Sequence, residues 1–344
     1  MASGWDLSSG IYDDRNVTED ELFSAILTVF SQKSKKTNTY KFALIKAILD
    51  NLYNADANLV ISFDDLFLKF AAVYWTLVTK HHLHQQPVSD FYKGANIEQL
   101  LNKFKDDNSI PDDTPYQSLG DELLGKLVKI VKRDCSKYVI GALYLDTNKL
   151  LYSFDKKAGF IKLNPRMYMF LCKRKTVIEK LNYYHFAKFL EKIETNSNHS
   201  DGLLTKIDES AKRTNLSFFL KILYEEFEEN TCFYCGRKLN LDKKDKNGVI
   251  AIDVDHFIPW SFIKDDRLWN MVLSCPQCNR SKSDKLASTF FLDLLKKRNI
   301  SLCERAEDQM KNNDEDKLSH IYEYAIENGY SEIWNHKQTS FAGT

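Results

Sequence analysis

This sequence has no surplus of either charge. Lys plus Arg and Asp plus Glu number 48 each, so the chain as a whole is not built to hold a polyanion by net charge. It has no run of about eighteen apolar residues, which excludes an expected membrane-spanning helix. The opening Met1-Ala-Ser-Gly-Trp-Asp lacks the basic and apolar regions of a signal peptide, and a cytoplasmic location is expected. Of seven cysteines, four sit in two close pairs, while Cys135, Cys172 and Cys303 stand alone. That pattern points to reduced, buried thiols and away from a disulfide framework. There is no internal repeat and no low-complexity tract. What remains, 43% hydrophobic and 28% charged, is the composition of an ordinary soluble globular protein. Its 344 residues allow two domains or three.

The most informative stretch runs from Cys232 to Lys285. Cys232-Phe-Tyr-Cys235 and Cys275-Pro-Gln-Cys278 offer four thiolates at knuckle spacing, the soft set that a tetrahedral structural zinc takes. A redox role for one pair is the alternative, but neither pair has the strand-to-helix context of a thioredoxin motif. The 39 residues between Cys235 and Cys275 exceed a simple turn, so the metal is expected to close the base of an inserted element. In that insert, 249–252 reads as a short strand, Pro259 turns the chain away, and 264–267 is a polar loop. Residues 268–273 then pack back, and a helix is expected from Asn279 onward. The result is strand, loop, strand and helix around one site.

Asp255-His256, the central Asn270 and the later Asn279, flanked by the two cysteine pairs, resemble the zinc-stapled branch of the HNH, or ββα-metal, endonuclease family. The run Asp253-Val-Asp-His-Phe-Ile-Pro-Trp-Ser-Phe-Ile-Lys-Asp-Asp266 also resembles the HNH domain of RNA-guided CRISPR effector nucleases. The likeness covers roughly a sixth of the chain. No arginine-rich bridge helix or second nuclease domain accompanies it. The resemblance implies phosphodiester hydrolysis with His256 as general base, leaving 5′-phosphate and 3′-hydroxyl ends. It also implies Mg²⁺ or Mn²⁺ on Asp255 and Asn279, as suits hard oxygen ligands. Asn270 is expected to tie the loop across the hairpin, and Asp253 to orient His256 or the ion. Arg280, Lys282 and Lys285 are candidate phosphate contacts. From 231 to 299, thirteen Lys or Arg face eight Asp or Glu, so this segment is locally basic. A zinc-stapled module that binds nucleic acid without cutting uses the same cysteines and lysines, but has no need for Asp255, His256 and Asn279 together.

The rest of the chain matches no motif. Residues 1–16 read as a loosely held leader. Thr18-Glu-Asp-Glu21 is a capping box that opens a helix to about Ser31. Amphipathic helices are expected over 37–53 and from Ser62 to about Lys80. The histidines 81, 82 and 84 at the end of the latter point in different directions and are not expected to bind metal. A short helix around 97–104 and a long one over 117–133 follow. Three aromatic and β-branched runs, 138–146, 150–154 and 159–163, read as a meander of strands. A basic helix over 166–193 carries Arg166, Lys173, Arg174, Lys175 and Lys180, and could lie along DNA. Polar 195–202 reads as a linker, 215–227 as a helix, and 288–298 and 316–328 as C-terminal helices.

The expected fold class is α+β. A mainly helical accessory or recognition domain with a small β-meander (1–200) leads through a linker and connecting helix (201–230) to the zinc-stapled nuclease module (231–299). A helical tail (300–344) completes it. DNA is the expected partner, a homodimer through the N-terminal domain is a further expectation, and a partner protein in a bacterial defence or restriction system is another.

Overall fold

The computed structural model describes residues 4–88, 94–199, 201–209, 216–226, 228–241, 252–305, 310 and 315–336. It is α+β and mainly helical, and it divides into two compact units, Met1–Lys212 and Arg213–Thr344. No helix among the described residues is long and apolar enough to cross a membrane.

The first unit contains helices α1 (Glu19–Phe30), α2 (Tyr40–Asp50), α3 (Phe63–Tyr74), α4 (Asn96–Asp107), α5 (Asp121–Asp146), α6 (Pro165–Glu191) and α7 (Leu203–Glu209). Its strands are β1 (Ser9–Gly10), β2 (Val60–Ser62), β3 (Tyr152–Asp155) and β4 (Phe160–Leu163). Helix α1 starts as the sequence requires: the Thr18 hydroxyl accepts from Glu21 N at 3.2 Å, and the Glu21 carboxylate accepts from Thr18 N at 2.9 Å. Helix α2 is buried on nearly every side against α3, α5 and α6, so it is the core of the unit and not an amphipathic surface helix. Burial on all sides forces its polar residues to pair. The Lys46 ammonium lies 2.9 Å from Asp50 Oδ2, both almost fully buried.

The run 138–146, expected as a strand, is the second half of the 26-residue α5. Val131, Cys135, Val139, Ile140, Leu143 and Tyr144 are its buried face, a helical period that outweighs β propensity. Gly141 makes the fit possible, since a Cβ there would stand 1.7 Å from the Gly4 carbonyl oxygen. The same contact corrects the expected loose leader. Residues 4–6 form a 3₁₀ turn against α5, and β1 joins a four-stranded antiparallel sheet of order β1-β3-β4-β2. The β3 to β4 turn closes with Asp155 accepting from Lys157 N and Ala158 N, both at 2.8 Å, and with Gly159 at φ +76°.

Helix α6 begins with an Asn164 cap and Pro165, and kinks at Arg174. Lys175 is buried, so the basic face expected along this helix is broken there. Polar 195–199 forms a 3₁₀ segment inside the first unit. Its Asn196 is fully buried, accepting from His84 N at 2.8 Å and donating to His84 O at 2.9 Å. His81 and His84 face Glu209 and Glu98 respectively. Cys135 and Cys172 are buried and Cys303 half-buried; burial pushes the Cys135 thiol up to about 12.

The second unit holds α8 (Ser217–Lys221), β5 (Asp253–His256), α9 (Trp260–Ile263), β6 (Met271–Ser274), α10 (Pro276–Lys282), β7 (Leu286–Ala287), α11 (Thr289–Arg305), α12 (Glu315–Glu327) and β8 (Ile333–Trp334). The strand expected over 249–252 falls outside the described residues except Ile252; the pairing strand is β5 itself. β5 and β6 pair antiparallel, Asp255 opposite Val272 and His256 opposite Met271. The helix of the site, α10, begins at Pro276, not Asn279, because Cys275 and Pro276 supply its cap and first residue. It ends at Lys282, and residues expected to continue it form β7, which pairs in parallel with β8. The C-terminal segment thus packs on α10, the 232–235 turn and α11: Trp334 Nε1 donates to Ser281 Oγ at 2.9 Å, and its ring meets Tyr234 and Phe291.

Candidate functional site

The two cysteine pairs converge. The first lies on a tight turn where Cys232 N donates to Arg237 O and Gly236, at φ +67°, takes a backbone angle that side chains disfavour. Phe233 N donates to Leu273 O at 2.9 Å, which holds the turn against β6, the strand leading into Cys275. All four sulfurs lie within 4.8 Å of one another, with Cys235 and Cys275 at 3.9 Å. Tetrahedral zinc with bonds of about 2.3 Å sets its sulfurs close to 3.8 Å apart, so the donor set and its spacing fit zinc. Four thiolates packed this closely call for a cation to neutralise them.

Strand β5 carries the acids. Period-two alternation puts Asp253 and Asp255 on one face of the strand. Asn279 Nδ2 donates to Asp253 Oδ2 at 3.0 Å, which brings α10 to the hairpin. Asp255 Oδ2 accepts from the Tyr234 hydroxyl at 2.6 Å and lies 3.1 Å from Lys282 Nζ. Tyr234 sits between the cysteines of the first pair, so one side chain links the metal turn to the buried carboxylate. Burial and the Asp255 charge both raise the Tyr234 phenol well above its usual range, and it stays a donor. Lys282 also donates to the His256 carbonyl at 2.8 Å and is fully buried. Its expected role as a phosphate contact is corrected: a lysine with no exposed surface serves the interior charge of Asp255. Arg280 is exposed, and Lys285 is half-buried 3.1 Å from Glu332.

His256 closes β5. Its Nε2 lies 2.6 Å from Asp266 Oδ1, with only 5% and 10% of the two side chains exposed. Asp266 belongs to the polar loop 264–267 and ends the run that resembles the effector HNH domains, but no role of its own is expected for it from the sequence. The available signal was an acid within reach of a histidine that needs an orienting partner. Asn270 is fully buried; it accepts from Ile258 N at 2.8 Å and donates to Ile258 O at 2.9 Å. Helix α11 supports the other side of this loop, with Arg298 Nη1 donating to Met271 O at 2.7 Å and Asn299 Nδ2 to Trp269 O at 2.8 Å.

Asp255, His256, Asn270 and Asn279 therefore lie on one hairpin and its following helix, but Asn279 bonds Asp253 and Asp255 pairs with Lys282. Asp253, Asp266 and Tyr234 complete the cluster. No solved structure matches the chain. Residues 232–288 match the family model of the HNH endonucleases, a span that leaves the first unit unassigned. On that match and the four converging cysteines, the chain carries an HNH endonuclease domain with a site that fits zinc.

Proposed function

We propose that the protein is a metal-dependent endonuclease that hydrolyses phosphodiester bonds in DNA, with His256 as the general base. The observation that carries this reading is the 2.6 Å contact of His256 Nε2 with Asp266. A neutral imidazole that donates Nε2–H to a carboxylate keeps Nδ1 as the ring nitrogen with a free lone pair. That nitrogen takes a proton from water as the oxygen adds to phosphorus and the bond to the 3′ oxygen breaks. The products are a 5′-phosphate and a 3′-hydroxyl.

Asp255, Asn279 and the neighbouring Asp253 supply hard oxygens that suit Mg²⁺ or Mn²⁺. Tyr234 and Lys282 both engage Oδ2 of Asp255, so Oδ1 is the oxygen it offers. Such an ion, when bound, stabilises the charge that develops on the phosphate and the leaving oxygen. Asn270 fixes the loop, and Asp266 fixes the imidazole plane. The rival reading, a module that binds without cutting, draws support from the internal pairing of Asp255 with Lys282.

End mapping separates the two. With zinc retained, a defined duplex incubated with Mg²⁺ should yield 5′-phosphate and 3′-hydroxyl ends, and no product without added Mg²⁺ or Mn²⁺. Binding without any cleavage under both conditions favours the rival.

A further inference from the structure

The first unit has no assigned role and is nearly neutral, with 29 Lys or Arg against 27 Asp or Glu over residues 1–212, yet it gathers cations in one place. A cleft of about 620 Å³ lies between α5, the β3 to β4 turn and the first turn of α3. Lys129, Lys132 and Arg133 reach it from α5, and Lys156 and Lys157 from the turn; among the described residues Asp64 is the one carboxylate in its lining. The i, i+3, i+4 spacing of the α5 cations places them on one helix face, and Ser136 continues that stripe by one turn.

Five cations in one cleft repel one another unless an anion joins them. The carboxylates beside them do not neutralise the set. Lys132 lies 2.5 Å from Asp64, whose side chain is 72% exposed, and Arg133 pairs with its sequence neighbour Asp134. Each pair has one exposed partner, Asp64 in the first and Arg133 in the second, and surface pairs of this kind are worth little. Lys156 is held rather than neutralised: its ammonium donates to the carbonyls of Trp5 and Lys137 at 3.0 and 2.9 Å. Burial lowers its pKa, opposed by Asp6, which marks an ammonium already partly stripped of water. Lys129 and Lys157 are exposed at the rim.

The lining also tells against base recognition. Among the described residues its one aromatic ring, Phe63, is buried and cannot serve as a stacking platform. With Lys129, Arg133, Lys157 and Ala158 all exposed, the cleft does not enclose a ligand, so a long chain can cross it. We propose that this cleft binds the phosphodiester backbone of a nucleic acid duplex, independently of base sequence, and gives the first unit a grip on the substrate of the second. The partner's identity follows from the nuclease reading, but binding can be measured on a protein that does not cut. Failure of one leaves the other standing.

The test uses the full chain carrying His256→Ala and a labelled duplex of about 20 base pairs, with anisotropy read from roughly 50 to 200 mM salt. Adding Lys129→Glu and Lys157→Glu should lower affinity at least about tenfold and reduce the slope of log affinity on log salt by about two. Lys33→Glu with Lys103→Glu makes the same change in net charge away from the cleft and should move both far less. Unchanged affinity and slope in the cleft variant, or an equal loss in the control, overturns the proposal. So does a thermal shift with inorganic phosphate that the cleft variant loses while duplex affinity stays put, since the cleft then belongs to a free anion.

Discussion

Replacing Lys282 with methionine decides between two roles for this residue. The variant keeps the length of the stem and removes the charge. The ammonium stands 3.1 Å from Asp255 Oδ2, and its side chain has no exposed surface. At an effective dielectric of about 20, charges at that distance attract by roughly 5 kcal/mol, most of it offset by the cost of burying both. Deleting one partner leaves Asp255 buried with only the Tyr234 hydroxyl, and the His256 carbonyl loses its donor. Broken buried pairs cost about 3–5 kcal/mol. Because the chain holds two compact units, the readout must report on the second alone. Hydrogen exchange in peptides covering β5 and β6 does so, and at about 1.4 kcal/mol per decade it should accelerate roughly 10²- to 10⁴-fold. A phosphate-contacting lysine predicts the reverse: exchange within a few-fold of the parent and a duplex-binding salt slope reduced by about one. That result would refute the reasoning.

Other perturbations have equally definite outcomes. Elemental analysis should find about one zinc per chain, and Cys275→Ser should lose it together with protection across the hairpin, because a small ββα unit has little core of its own; full retention of metal and protection would contradict this. Asn270→Ala strands the buried Ile258 N–H and carbonyl, and should cost the second unit about 2–5 kcal/mol by hydrogen exchange, against under 1 kcal/mol if the side chain only fills space. In the first unit Thr18→Ala should cost α1 about 1 kcal/mol near neutral pH. The backbone hydrogen bond from Thr18 lowers the Glu21 pKa, with Arg15 adding to it, so the capping contribution is present above the unfolded value of 4.5 and is lost as pH falls through the folded one. Alanine at 18 keeps the backbone N–H that donates to Glu21, so it is the penalty of Glu21→Ala, not of Thr18→Ala, that should shrink in acid; an unchanged Glu21→Ala penalty there contradicts the capping box.

Legibility followed the range of the interactions. The zinc-fitting cysteines were readable because each pair satisfies its geometry within four residues, and the Thr18 cap because it closes within one turn. Asn270 was readable only through the family resemblance, although its bonds reach just twelve positions back. The second half of α5 was misread because Val139, Ile140 and Tyr144 favour strands in isolation; what holds them helical is a buried face shared with Val131 and Cys135 and the approach of Gly4 to Gly141. Lys282 was misassigned for a similar reason. Its partner Asp255 lies on another element, and nothing local tells a buried lysine from a solvated one. Asp266 was missed because its meaning arises only when the 264–267 loop folds over His256.

The central claim is that His256 removes the proton from the attacking water. Single-turnover nicking of supercoiled plasmid with Mg²⁺, by the parent and by His256→Ala at saturating protein, tests it most directly. The expected result is a loss of about 10²–10⁴ in rate with duplex affinity nearly unchanged, since a general base acts on the transition state and not on ground-state binding. A variant that nicks at close to the parent rate would contradict it.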